Sequence, residues 1–522
     1  MVIFIKNVKI FSQFLVLILF FSNLGINNVF YTNGLQNYES NLKLAAVKAE
    51  FEFEHYLVAG SINDDEFVGM KLDQAENLII YGEIGINTSS DIAFLEHNPS
   101  SINLEILLNS TNSTVWGGEN NDYVSNLEID SLGNIYIAGS TSSYGSGGLD
   151  LCLIKYSKTL EYQWNKTWGF TSDEVCWDMV IDANDNIFLL GIGSISVERG
   201  EIYLVKYDSN GNQIWNKTCS NDLFYLEGSY AGGQWDLLST DTNNNLYIGY
   251  DTFFSDVEYS ARLLKYSNSG DLLFNITHTF PEPGMFWEIM IITDETDNVY
   301  VLGEQFYTDF TKNSDFSLLK YNNLGILQWN KTWDFVNRND SPMDIAFDLE
   351  GNIYITGISY TSGLSDIALV KYDSNGNLLW EKTSINSDPS IKEEAYGIAF
   401  DSKNNVYLAG VSDDTELGDD DMLLVIYSAQ GELLGSYTWG LNNTERAYEI
   451  KINSNDEIFV AGTTNSFTHG KDWYLAKVKV EFKTIENGGF DFILLIVGIS
   501  IAAAVIIGVS IVVKIMLKKR KS

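Results

Sequence analysis

The sequence predicts an all-β fold made of eight repeated four-stranded units, and three observations carry that expectation. First, the thirteen residues KYDSNGNLLWEKT from Lys371 to Thr383 nearly repeat KYDSNGNQIWNKT from Lys206 to Thr218. Weaker copies start at Lys155, Lys265, Lys320 and Ile426, with a divergent one around Glu96 and a truncated one at Lys477. Successive starts lie 59, 51, 59, 55, 51, 55 and 51 residues apart. Second, a companion phrase keeps the same interval: ENLIIYG from Glu76, GNIYIAG from Gly133, DNIFLLG from Asp185, NNLYIGY from Asn244, DNVYVLG from Asp297, GNIYITG from Gly351, NNVYLAG from Asn404 and DEIFVAG from Asp456. A period of roughly 50 to 60 residues marks a repeat architecture. Third, each module contains four short apolar runs separated by Asp, Asn, Ser and Gly. Residues 395–439 show them as AYGIAF, NVYLAG, MLLVIY and ELLGSYTW. β-Branched and aromatic residues favour strands, and the separators favour tight turns.

Within a module the strands follow in order. ALVKY is a third strand, DSNGN its hairpin turn and LLWEKT the fourth strand. Inner runs such as GIAF and NIYITG are apolar on both faces, so both faces of each sheet must be covered. A radial stack of meanders covers them, with Trp164, Trp215, Trp329 and Trp380 filling the gap that widens toward the rim. Four-stranded units at this period are the signature of a β-propeller. The phrases D..GNIYI.G and KYD.NG...W resemble the SBBP β-propeller repeat family, found in exported bacterial and archaeal proteins. The resemblance covers about residues 51–480 and implies a fold rather than an activity. The family is described with seven blades, whereas eight modules stand here, and eight is the preferred count. The eighth module stops after its third strand, WYLAKVKVEF, while FEFEHYLVAG at 51–60 lacks a partner. Pairing the two would lock one end of the chain to the other. Seven blades plus an irregular module is the alternative.

Both ends differ from the repeats. Lys6 and Lys9 precede an apolar stretch from Ile10 to Phe21, the pattern of a secretory signal within 1–30, although no A-x-A cleavage site follows. Residues 31–50 read as a linker, 51–482 as the ectodomain and 483–491 as a second linker. Phe492 to Val513 carries no charge, and a helix of that length spans about 30 Å of hydrocarbon. Lys514, Lys518, Lys519, Arg520 and Lys521 follow, and basic flanks favour the cytoplasmic side. The expectation is one C-terminal transmembrane helix with the propeller facing outward and 514–522 as a cytoplasmic tail.

The formal net charge is −38, which argues against nucleic acid as a partner because phosphate binding needs a basic footprint. Cys152, Cys176 and Cys219 cannot close a disulfide framework and read as small buried apolar residues.

Trp177-Asp178, Trp235-Asp236, Trp287-Glu288, Met343-Asp344 and Tyr448-Glu449 place an acid after a large apolar residue at the start of inner strands. Propeller inner strands line a central channel, so Asp178, Asp236, Glu288, Asp344 and Glu449 would form an acidic ring able to attract calcium or a cationic ligand. The alternative is that these acids hydrogen-bond nearby backbone. DSNGN at 208 and 373 and DANDN at 182 read as turns, since the twelve-residue calcium-loop spacing is absent. DDTELGDDD at 413–421 reads as a solvated loop that could also hold a cation. Asn165, Asn216, Asn275 and Asn330 head N-x-T tripeptides on fourth strands, where glycans could attach at the rim. Further N-x-S or N-x-T tripeptides start at Asn87, Asn109, Asn112, Asn339 and Asn442.

No catalytic constellation is visible. His55, His97, His278 and His469 fall at unrelated module positions, and Arg199, Arg262, Arg338 and Arg446 are scattered. In the repeated phrase Asp373 precedes Gly376 by three residues and Trp380 follows by four, a register that departs from sialidase boxes. The sequence therefore reads as a membrane-anchored surface propeller acting as a binding, adhesion or scaffolding module for a glycan, envelope component or protein. The other readings are an extracytoplasmic carboxylate-based hydrolase or lyase, and a structural coat protein.

Overall fold

The computed structural model describes residues 46–59, 65–86, 89–97, 113–196, 199–220, 236–255, 258–279, 284–307, 313–335, 338–361, 364–383, 391–413, 420–440, 443–466 and 470–485. The segments with the signal-like stretch and the apolar run at 492–513 lie outside them. Among the described residues no helix is long and apolar enough to cross a membrane. The chain divides into two compact units, and the propeller occupies Val47–Thr484 of one. The other, Met1–Ala46 with Ile485–Phe490, lies outside the described residues apart from two strand-end positions.

The propeller has eight four-stranded antiparallel sheets. Seven are meanders of consecutive strands: blade 1 spans 66–116, blade 2 122–168, blade 3 174–220, blade 4 238–278, blade 5 284–333, blade 6 339–383 and blade 7 393–439. Blade 8 takes Glu445–Ile452, Ile458–Thr464 and Asp472–Ile485 from the C-terminal side and Ala46–Ala59 from the N-terminal side, in that spatial order. The closure expected from FEFEHYLVAG is therefore present. The closing strand begins at Ala46, upstream of that segment, because the alternation of Lys48-Ala49-Glu50-Phe51-Glu52-Phe53 extends it; it and its partner each span 14 residues. First strands of successive blades are neighbours around the whole ring.

Second strands such as Ile135–Thr141 and third strands such as Asp421–Tyr427 are buried along their length, whereas the fourth strand Leu272–His278 alternates exposed and half-buried residues. That gradient is the reason the inner runs are uniformly apolar. Cys152 and Cys176 are buried and Cys219 half-buried, all as free thiols, and burial pushes Cys176 and Cys219 up to about 12.

The repeated phrase acts between blades. Lys265 lies 2.8 Å from Asp241 of its own first hairpin, and its ammonium also donates to the Asn323 carbonyl in the third-to-fourth-strand turn of blade 5. Lys155, Lys206, Lys320 and Lys371 likewise donate to the carbonyls of Ser209, Asn268, Ser374 and Ala429 in the next blade. The Nε1 groups of Trp215 and Trp380 donate to the Asn268 and Ala429 carbonyls. Blades 2 to 6 thus share these letters because each grips its successor in the same way.

Candidate binding face

The ring has two unlike ends. At one end lie the turns between first and second strands and between third and fourth strands. Asp182 shows their wiring: its Oδ1 accepts from the backbone N–H groups of Asn184 and Asn186, both at 2.9 Å. Asp208 accepts from Asn210 and Asn212 in the same manner, at 2.9 and 2.8 Å. These carboxylates are consumed as turn acceptors, as the missing calcium-loop spacing implies. Where the positive-φ residue of a first turn is not glycine, its side chain reaches back to the preceding blade, as where the Ser131 N–H donates to Asp185 at 2.8 Å and the Ser402 N–H to Asp456 at 2.7 Å.

At the opposite end the connections vary, from residues 197–198 within blade 3 to residues 221–237 between blades 3 and 4. This face carries aromatic clusters. Trp116 and Tyr144 lie 5.2 Å apart by ring centroid, and Tyr144 is 45% exposed. Trp168, Phe170 and Tyr203 form a second cluster, with Phe170 51% exposed. Between blades 7 and 8, Tyr396 and Tyr448 lie 5.4 Å apart. Both stand where the first strand bulges, between Ala395 and Gly397 and between Ala447 and Glu449. A bulge leaves one residue unpaired and re-aims its side chain. Beside them Lys392 pairs with Glu394 and Asp420 at 3.3 and 3.6 Å, and Arg446 pairs with Asp420. Of the acidic loop at 413–421, residues 414–419 lie outside the described residues; Asp413 accepts from the Lys392 N–H at 2.6 Å, and Asp421 is buried.

The five acids stand in unlike positions along their blades' first segments. Asp178, Asp344 and Glu449 each follow a bulge and precede the first turn's Asp or Asn by four residues. Asp236 stands five residues before Asp241, and Glu288 six before Asp294, on a strand with a wider irregularity between Trp287 and Met290. The side chain of Glu288 lies outside the described residues.

Asp178 joins three blades. Its carboxylate accepts from Asn126 Nδ2 at 2.7 Å, from its own neighbour Met179 N–H at 2.6 Å, and from the Leu237 and Leu238 N–H groups at 2.9 and 2.8 Å. Burial and the negative charge of Asp236 push it up to about 8 against the pull of those donors. Asp344 accepts from the Ile345 N–H at 2.7 Å and from the Ile398 N–H of blade 7 at 3.0 Å. Burial pushes it up to about 7, while Lys451 opposes the shift. Asp236 is exposed.

Lysines interrupt this acidic set. Glu449 pairs with Lys451 at 2.7 Å, and Lys71 with Glu128 at 3.0 Å. Burial opposes the Lys71 ammonium, yet Glu128, Tyr81 and Asp236 hold it above the usual lysine range. No phrase in the sequence singles out Lys71, Glu128 and Lys451, yet each stands two residues before its turn Asp or Asn, which places it on the same strand face as the residue four before. The interior is a mixed-charge lining in which Asp178 and Asp344 fasten inner strands together.

The four sequon asparagines sit on fourth strands in one register, opposite Ile154, Val205, Leu264 and Leu319 of the third strands. Asn216, Asn275 and Asn330 are exposed and Asn165 half-buried.

Residues 115–145 match the family model described as "Beta-propeller repeat", SBBP. The chain carries an SBBP β-propeller repeat. The match begins in the last strand of blade 1 and takes in the first hairpin of blade 2. No curated protein matches the chain. Among solved structures, a eukaryotic initiation factor is 10% identical over 84% of this chain and 97% of its own, at a TM-score of 0.41. A polysaccharide lyase is 8% identical over 83% of this chain and 100% of its own, at 0.40. The β-propeller domain of the trilobed protease from Pyrococcus furiosus is 9% identical over 72% of this chain and 97% of its own, at 0.41. These likenesses assign no activity to the SBBP-repeat chain.

Proposed function

We propose that this protein is a membrane-anchored, outward-facing binding or scaffolding module that engages a surface glycan, envelope component or protein through the variable face. One observation carries this reading: the end of the ring opposite the Asp- and Asn-built turns carries the aromatic clusters of Trp116 with Tyr144, of Trp168 with Phe170 and Tyr203, and of Tyr396 with Tyr448. Loops on a rigid scaffold are where propellers and other repeat folds carry recognition, because their sequence changes without disturbing the core. Exposed aromatic rings suit sugar rings and polar protein surfaces alike. The signal-like start and the apolar 492–513 segment support the anchored, outward orientation, and the outer-strand asparagines support a glycosylated rim.

The test joins topology and binding in the full chain. A membrane-impermeant reagent should label a tag inserted in the turn at 373–377 and leave a tag after Ser522 unlabelled on intact cells. On arrays of glycans and envelope polymers, Tyr144→Ala with Phe170→Ala should weaken capture at least ~10-fold, whereas Leu132→Glu with Leu349→Glu on the regular face should leave it unchanged. The reverse pattern, or a labelled C-terminus, overturns the reading.

A further inference from the structure

Large apolar side chains stand exposed at the end of the ring that carries the first turns and the third-to-fourth-strand turns. The opening residue of the fourth strand repeats there in one register: Leu272, Leu327, Leu378 and Leu433 lie opposite Tyr266, Tyr321, Tyr372 and Tyr427. All four are exposed, and the turn tips add Leu324 at 71% and Leu349 at 75%. Blades 4, 5 and 6, which are neighbours in the ring, carry five of these six. Such a run over adjacent units differs from the single exposed apolar residues that any protein surface carries.

The polar groups of the same turns are directed inward. Asp348 is buried, accepts from the Glu350 and Asn352 N–H groups at 2.9 Å and pairs with Lys371 at 3.2 Å, whereas the next residue, Leu349, faces solvent. The turn from Asn322 to Ile326 in blade 5 carries no charge, and Asn322 accepts from the Leu324 and Ile326 N–H groups at 3.1 and 2.9 Å. Each turn therefore consumes its own acceptor and leaves leucine at its tip.

The course of the last strand shows which way this end points. Third strands run toward these turns; that of blade 2 stops at Tyr156, opposite Ile135. In blade 8 Val478 stands opposite Ile458 at the same level, but the strand continues to Ile485. The chain thus leaves the ring at the end with the exposed leucines, and residues 479–485 carry it about 23 Å farther if straight. Residues 486–491 separate that strand from the uncharged run at 492–513, a stretch that reaches at most about 20 Å.

We propose that this end of the ring faces the bilayer and that the apolar residues of blades 4 to 6 seat in its headgroup layer. The inference rests on the anchored reading above and deepens it by assigning the face that meets lipid. Blade 8, where the chain departs, stands four places from blade 4 in the ring of eight, so the tether and the apolar surface lie on opposite sides. A ring tethered at one side can lean, and leaning toward blades 4 to 6 brings their leucines to the surface. Glu295 and Glu350 are exposed at these turns while Lys265 and Lys371 are buried, an acidic balance that favours zwitterionic over anionic headgroups.

The experiment uses the full chain reconstituted in phosphatidylcholine vesicles, with an environment-sensitive fluorophore on a single cysteine placed by Leu324→Cys, Leu349→Cys or Tyr144→Cys in a Cys219→Ser background; Cys152 and Cys176 are buried. Apolar groups at an interface sit about 5–10 Å into the headgroup boundary, so headgroup-attached spin labels should quench positions 324 and 349 at least ~3-fold more than 144. Adding phosphatidylglycerol should weaken that quenching, and Leu272→Glu with Leu378→Glu should bring the signal at 324 down to the level at 144. A chain that fails to float with the vesicles defeats the anchored reading and this inference with it. A chain that floats but is quenched equally at all three positions, or most at 144, overturns the face assignment alone. Shielding of 324 and 349 that persists in detergent at twice the monomer mass would give the surface to a second copy and overturns it as well.

Discussion

Glu83 shows what burial does to a single acid in this fold. It sits in the second strand of blade 1, 7% exposed, and its carboxyl accepts one side-chain hydrogen bond, from Ser90 at 3.1 Å. Burial, with a smaller push from Glu66, raises it to about 7. The native state therefore holds a proton that the unfolded chain releases near pH 4.5. Its contribution to stability is complete below about pH 4 and is lost as the pH rises through 7. Glu83→Gln lacks this component, so its denaturation free energy should fall less between pH 5 and 8 than that of the unmodified protein, by about 2 kcal/mol. Urea titrations at the two pH values read the difference; parallel declines would show that Glu83 titrates normally. Nothing in the local pattern marks this residue, because an acid between apolar neighbours in a strand reads as surface until the covering blade is known. The same limit applied to Lys71 and Lys451, whose charges face the ring interior.

At the scale of turns and strands, legibility follows repetition. The phrase KYD.NG...W was readable as a strand, turn and strand, and its glycine has a second task that only the assembled ring shows. Gly376 adopts φ +77°, and a Cβ there would lie 2.7 Å from Lys331 Cε and 2.9 Å from the Trp329 ring of the preceding blade. Gly351 adopts φ +78° in a first turn with nothing within 4 Å of a Cβ. Both Ala variants incur the left-handed strain of about 1–2 kcal/mol, but only Gly376→Ala also pushes two blades apart. Gly376→Ala should therefore be the more destabilising by a further ~1–2 kcal/mol, measured by chemical denaturation; equal losses would mean the Trp contact yields freely. In blade 2 this turn position is Leu160, at φ +59°, which packs on the cluster between blades 1 and 2. The acidic ring was less legible for a related reason. Trp-Asp and Trp-Glu pairs look alike along the chain, yet the bulges place Asp178, Asp344 and Glu449 in one register and leave Asp236 and Glu288 one and two residues away from it. A bulge inserts a residue without any local letter that announces it.

For the whole molecule the decisive feature is that the ring closes. In an open array each unit meets only its neighbours and the end units fray. Here blade 8 returns to blade 1 through the Asp65 N–H to the Lys471 carbonyl at 3.0 Å, the Lys471 to Glu66 pair at 3.3 Å and the Ser454 N–H to Glu76 at 3.3 Å. Behind these polar contacts Phe67, Ile80, Phe459 and Trp473 share one apolar cluster. The Ser454 contact joins residues 378 apart in sequence, a loop whose closure entropy is repaid only when every intermediate blade is in place. The strand Ala46–Ala59 supplies the other half of the fastening, since it pairs with Asp472–Ile485 and so ties the beginning of the propeller to its end within a single sheet. Deleting 46–59 leaves blade 8 with three strands and an unpaired edge beside blade 1. Such a chain should unfold first at blades 8 and 1, lowering Tm by ~10 °C and separating the Trp473 fluorescence transition from the loss of β-sheet circular dichroism. An unchanged, single transition would mean that apolar packing between blades 8 and 1 holds the ring without its strand clasp.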